Sequence, residues 1–142
     1  MMCKILNKAL SQYDTREIVG KQDNPEVLKY FEILGFDGQK LKDETSWCAA
    51  FVNWVLASLE LPNTGKLNAR SFLELGQSVK DCPEPGDIVV LWRESLDSWK
   101  GHVGFYVRET DDKIYLLGGN QGNRVSIQPY NKSRLLDIKR VK

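Results

Sequence analysis

The stretch Thr45-Ser46-Trp47-Cys48-Ala49-Ala50-Phe51-Val52-Asn53-Trp54-Val55-Leu56-Ala57 decides how the rest of the chain is read. It opens on two residues favoured at helix N-caps and continues without glycine, proline or charge. A surface helix keeps a polar face opposite its apolar stripe, whereas this segment is apolar nearly all round. It therefore predicts a central, buried helix. Cys48 stands in the first turn. There the helix dipole and unpaired backbone N–H groups favour a thiolate and can hold an oxyanion. One turn later neither benefit would be available. Taken alone, such a cysteine is more often a small core residue, since free cysteines are among the most buried side chains.

Upstream, Asp23-Asn24-Pro25-Glu26 is a second helix start, with a capping residue and then proline at the first helical position. Val27, Leu28, Tyr30, Phe31 and Leu34 follow at helical spacing, and Gly35 stops the run. Downstream, residues 69–75 predict a shorter helix ending at Gly76. Past Pro83-Glu84-Pro85-Gly86 the period changes. Residues 87–92 are short and β-branched, and residues 102–107 alternate, with Val103, Phe105 and Val107 on one face and His102, Gly104 and Tyr106 on the other. Residues 110–113 form a turn and 114–117 a return strand, with further strands expected over 125–128 and 137–141. Helices first and an antiparallel sheet after them is the α+β pattern. No repeat or linker divides the 142 residues, so residues 1–142 are expected to form a single domain.

Composition narrows the function. Apolar residues make up 42% and charged residues 27% of the chain, the balance of an ordinary soluble domain. A net charge of +1 supplies no field to draw in nucleic acid or an anionic membrane. The lysine-broken start Met1-Met2-Cys3-Lys4-Ile5-Leu6-Asn7-Lys8 lacks the apolar stretch of a secretory signal, so synthesis in the cytoplasm is expected. Cys3, Cys48 and Cys82 are too few and too scattered for a disulfide framework or a zinc site, and no cofactor is expected. Cys82 is read as a packing residue.

The chain has a single histidine, so any histidine-assisted nucleophile must use His102. No Gly-x-Ser-x-Gly, phosphate-cradling loop or His-Glu-x-x-His is present. Glycines on either side, in Gly101-His102-Val103-Gly104, let another backbone or a substrate come close. If the hairpin turns near Asp111-Asp112, paired residue numbers sum to about 222–224, which sets His102 opposite residues 120–122. An amide there could hold the imidazole in one orientation, and the register does not choose between Asn120 and Gln121.

Four segments together are familiar. Asp43-Glu44-Thr45-Ser46-Trp47-Cys48-Ala49-Ala50-Phe51-Val52-Asn53-Trp54 resembles the nucleophile segment of CHAP-type and NlpC-type cell-wall hydrolases. Pro85-Gly86-Asp87-Ile88-Val89-Val90 is similar to their next strand, and Gly101-His102-Val103-Gly104-Phe105-Tyr106-Val107 to their histidine strand. Leu117-Gly118-Gly119-Asn120-Gln121 resembles the segment holding their third polar residue. Here Trp47-Cys48-Ala49-Ala50 replaces the Asp-Cys-Ser-Gly common in NlpC-type enzymes, and Gly118 stands where many CHAP enzymes place a glutamate.

The resemblance implies a papain-like fold, with N-terminal helices, including the cysteine helix, packed on a C-terminal antiparallel sheet. It implies Cys48 as nucleophile, His102 as base and Asn120 as the residue that orients the ring. Trp47 and Gln121 are expected beside the cleft as substrate contacts. The implied activity is peptidoglycan hydrolysis at an amide of the murein peptide, as endopeptidase or N-acetylmuramoyl-L-alanine amidase. Lacking a signal, such an enzyme would reach the wall as a phage lysin or an injected antibacterial effector, with phage or secretion machinery or an immunity protein as partners. The alternatives are a papain-like deamidase or peptidase acting on proteins, and a non-catalytic module that kept the fold.

Overall fold

Strands form where β-branched and aromatic residues alternate, and a helix forms where the apolar run has no such period. Both rules meet in this chain, whose computed structural model describes residues 2–15, 29, 30, 32, 47–98, 100–122 and 124–141. Helix α1 is Met2–Leu10 and α2 is Cys48–Ser58. The strands are β1 (Gln77–Ser78), β2 (Ile88–Trp92), β3 (Gly101–Glu109), β4 (Lys113–Gly118), β5 (Ser126–Asn131) and β6 (Leu135–Arg140). They make one six-stranded antiparallel sheet in the order β1-β6-β2-β3-β4-β5. The fold is α+β, as the order of patterns predicts.

Helix α2 is the central element that its composition requires, with every residue from Cys48 to Leu56 buried. Phe51, Val55 and Leu56 pack in one core with Ile88, Val90, Val103, Phe105 and Leu117 of the sheet. Tyr30 joins this core, its ring centroid 5.2 Å from those of Phe51 and Trp54. Lys29, Tyr30 and Glu32 are helical; the rest of the helix expected over residues 24–34, with its Asn24-Pro25 start, lies outside the described residues, as do Thr45 and Ser46. A second cluster of Val89, Leu91, Tyr106, Ile114, Leu116 and Ile138 is built from the sheet alone.

Several expectations shift in detail. Residues 69–75 form a 3₁₀ helix, Ala69–Glu74, in place of an α-helix. So short a segment gains little from α-type bonds, and Gly76 ends it at φ +75°. Strand β5 runs through Pro129 to Asn131, further than expected. Proline is tolerated there because β5 lies at an edge of the sheet. Cys82 is exposed and so is not a packing residue; neither it nor Cys48 is in a disulfide. Asp87, buried at the start of β2, is a structural carboxylate. Arg140 donates to both of its oxygens at 2.9 and 2.8 Å, and the Glu84 N–H donates at 2.7 Å. A fork of this kind offsets the cost of burying the charge.

Candidate active site

Cys48 is the first residue of α2, behind Trp47 at the cap position. The Trp47 side chain makes no capping hydrogen bond, and its carbonyl accepts from the Phe51 N–H at 2.9 Å. Helix start and β3 start face one another across a small cleft lined by Cys48, Leu67, Asn68, Ala69, Arg93, Lys100 and Gly101. His102, the second residue of β3, is buried and hydrogen-bonded to Cys48. The structure thus brings together the cysteine and the histidine that the sequence singles out.

The other nitrogen of the ring is held by an amide. Gln121 Oε1 lies 2.8 Å from His102 Nε2. Which end of that amide faces the ring is settled by its other contacts: Gln121 Nε2 donates to the Leu116 carbonyl at 3.1 Å and to the Ser126 carbonyl at 2.7 Å. Turned over, the amide would aim its oxygen at two carbonyl oxygens. Oε1 must therefore accept from the ring, and His102 Nε2 must carry a proton. Nδ1 is the nitrogen left for the sulfur. The Tyr130 hydroxyl lies 3.2 Å from the same Nε2, and its ring tilts over the imidazole with centroids 5.1 Å apart. Since the Nε2 proton points to Gln121, the phenol oxygen sits as a second acceptor for it.

These contacts set the charge of the ring. Burial, the largest influence on His102, favours the neutral form. The negative charge and hydrogen bond of Cys48, then the Gln121 oxygen, outweigh it against a small opposing push from Arg134. The imidazolium is held above the ordinary histidine value as a result. Burial and the Cys48 charge push Tyr130 well up, so it stays a neutral phenol.

The hairpin explains why Gln121 arrives here. Strands β3 and β4 pair with residue numbers summing to 222 at Phe105–Leu117 and to 223 beyond a bulge, inside the expected range. The ladder stops at Leu117, however, before it reaches His102. The chain then turns, with Asn120 at φ +59° and the Gln121 N–H donating to the Arg124 carbonyl at 2.9 Å. This turn folds the Gln121 side chain back onto the ring. Gly118 makes the room: a Cβ there would lie 2.8 Å from Gln121 Oε1. At Gly119 a Cβ would meet Phe51 and Trp47 at 2.8 Å, so this glycine lets the turn close against α2.

Two expected substrate contacts are corrected. Trp47 is 1% exposed and stacks on Tyr30 at 6.0 Å, which makes it part of the core and keeps it from the cleft. Among the described residues its indole N–H has no acceptor. Gln121 is 3% exposed and engaged as above. The ring-orienting position expected of Asn120 is occupied by Gln121. Tyr130 is a residue the sequence reading missed; strand alternation pointed to it only if β5 was carried past Pro129. Among the described residues no group of three or more His, Cys, Asp and Glu is placed to hold a metal.

Sheet, buried helix α2 and a cysteine–histidine pair at its N-terminus define a protein of the papain-like class. The CHAP domain pattern matches residues 40–120, more than half of the chain, and the chain belongs to that family. CHAP and NlpC-type domains are typically cysteine hydrolases, peptidases or amidases. The fold is also that of NlpC1 from Trichomonas vaginalis, with a TM-score of 0.59 at 20% identity over 96% of this chain and 42% of that one. The chain thus spans less than half of that protein's length. A search of curated proteins found no match.

Proposed function

We propose that this CHAP-family chain is a cysteine hydrolase of murein peptide bonds. The observation that carries the catalytic part is the one-way hydrogen-bond path: Gln121, fixed by two backbone carbonyls, fixes the Nε2 proton and so leaves Nδ1 to serve Cys48. Nδ1 takes the thiol proton, and the thiolate attacks the carbonyl carbon of the scissile amide. The first-turn N–H groups of α2, unmatched within the helix, receive the oxyanion. The imidazolium then protonates the leaving nitrogen and a thioester remains. Water, deprotonated by Nδ1, attacks the thioester, and the thiol is regenerated as the acid leaves. Gln121 takes the positioning role throughout, with Tyr130 beside it.

Murein as the substrate follows from the resemblance of the four motif segments to cell-wall hydrolases. Under this reading the protein acts at the bacterial wall after release or delivery from the cytoplasm, by phage or secretion machinery, with an immunity protein as a further partner. Digestion of purified peptidoglycan, with mass spectrometry of the soluble fragments, tests it. Wild type should release peptide-bearing fragments and Cys48→Ala should release about 10⁴-fold less or none. Equal release by both would sink the assignment. No release by wild type, with Cys48 still reactive at neutral pH, would move the search to protein substrates.

A further inference from the structure

The described arginines divide sharply. Arg70 donates to the carbonyls of Lys100, Leu96 and Ser95 at 2.8–2.9 Å. Arg140 holds Asp87, Arg124 holds Asp14 at 3.0 Å, Arg134 donates to the Trp92 carbonyl at 3.1 Å, and Arg108 lies over the Tyr115 ring. Arg93 differs. Its backbone is pinned at the neck of the β2–β3 loop, N–H to the Lys100 carbonyl and carbonyl from the Ser95 N–H. Its guanidinium is exposed and makes no hydrogen bond or ion pair among the described residues. This is the arginine that lines the cleft of Cys48.

The cleft's other charge is already balanced, since Lys100 Nζ bonds Glu94 at 2.7 Å and holds that carboxylate below its usual range. No acidic residue lines the cleft; the neighbouring Glu94 feels both Lys100 and Arg93, one negative charge against two positive ones, so a net positive charge borders the cleft. The cleft is small, ≈ 60 Å³, so a group bound by Arg93 would lie close to Cys48. From these observations the geometry points to Arg93 as a carboxylate-binding residue beside the nucleophile. The preferred substrate is then an acidic peptide whose free carboxylate flanks the scissile amide. A planar guanidinium fork matches a carboxylate with two parallel hydrogen bonds. This deepens the proposed function by naming the substrate's charge, and for the murein part it rests on that reading.

The test uses the smallest carboxylate that can enter. Cys48 in the full chain is alkylated with iodoacetate or with iodoacetamide, and peptide mass spectrometry separates Cys48 from exposed Cys82. In each case the sulfur displaces iodide, so the two reagents differ only in charge. Arg93→Gln should lower the iodoacetate-to-iodoacetamide rate ratio by about tenfold, and Arg93→Lys by less. A ratio in Arg93→Gln within about twofold of wild type would overturn the carboxylate site. If the ratio falls while purified murein is left uncut, the site stands and the murein reading fails. On murein stem peptides, Arg93→Gln should raise KM more than it lowers kcat when the flanking carboxylate is free. That difference should vanish when the carboxylate is amidated. An equal KM effect on both forms would overturn the proposal.

Discussion

Two buried amides do different work in this protein. Asn53, five residues after Cys48 on α2, is fully buried. Its Oδ1 accepts from the Thr64 N–H at 3.0 Å, and its Nδ2 donates to the Lys66 carbonyl at 2.9 Å. Every group it meets is a fixed amide, carbonyl or hydroxyl, and the result is a segment, residues 64–66, tied to the helix that carries Cys48. Gln121 is equally engaged, yet its oxygen meets a titratable ring. Satisfying the nitrogen end of an amide with carbonyls leaves its oxygen end one possible meaning. In Asn53 that meaning is architecture. In Gln121 it is the position of a proton.

The contrast can be broken most forcefully at Gln121. Gln121→Ala should lower kcat by about 10²-fold, because the ring loses its tautomer and its direction. It should also cost about 1–3 kcal/mol of stability for the two carbonyls left unpaired. Asn53→Ala should reverse the ranking: stability falls by about 2–3 kcal/mol, seen as a lower urea midpoint, while kcat changes less than in Gln121→Ala. Equal effects on kcat would dissolve the distinction.

A subtler test reads the ring itself, which is simple because His102 is the chain's single histidine. Cys48→Ala removes the largest influence that raises its proton affinity and leaves burial in place. An NMR titration should therefore find the His102 midpoint lower in Cys48→Ala than in wild type. The sign for stability follows from the raised wild-type value. The imidazolium's contribution is fully present below the ordinary 6.5 and is lost as pH rises through the higher folded midpoint. The smallest effect is expected of Tyr130→Phe. It keeps the ring over His102 and removes one weak acceptor, for a loss of about two- to fivefold in kcat and a lower alkaline limit of the pH profile.

What the sequence disclosed, and what it withheld, follows from the range of each interaction. Helix α2 was legible because burial all round needs an unbroken apolar run, and that is a local property. His102 was legible because it has no competitor. The choice between Asn120 and Gln121 was not legible. It turns on where the β3–β4 ladder stops and on the left-handed turn at Asn120, and neither has a local signature. A hint was present in Gly118, whose missing side chain leaves the volume that the Gln121 amide fills. Tyr130 stayed hidden behind Pro129, which ends a strand in most contexts but not at a sheet edge. The silence of Arg93 could be heard only once every other described arginine had a partner.

Arg70 has a mechanical consequence. It sits in the 3₁₀ helix beside Ala69, one wall of the cleft, and grips three carbonyls of the loop that carries Arg93 and Lys100, the other wall. A rigid planar fork with each arm anchored does not stretch. Three hydrogen bonds therefore tie the two walls to each other, as a brace ties two posts. Under the proposed function, a peptide would meet these walls at the spacing that Arg70 sets.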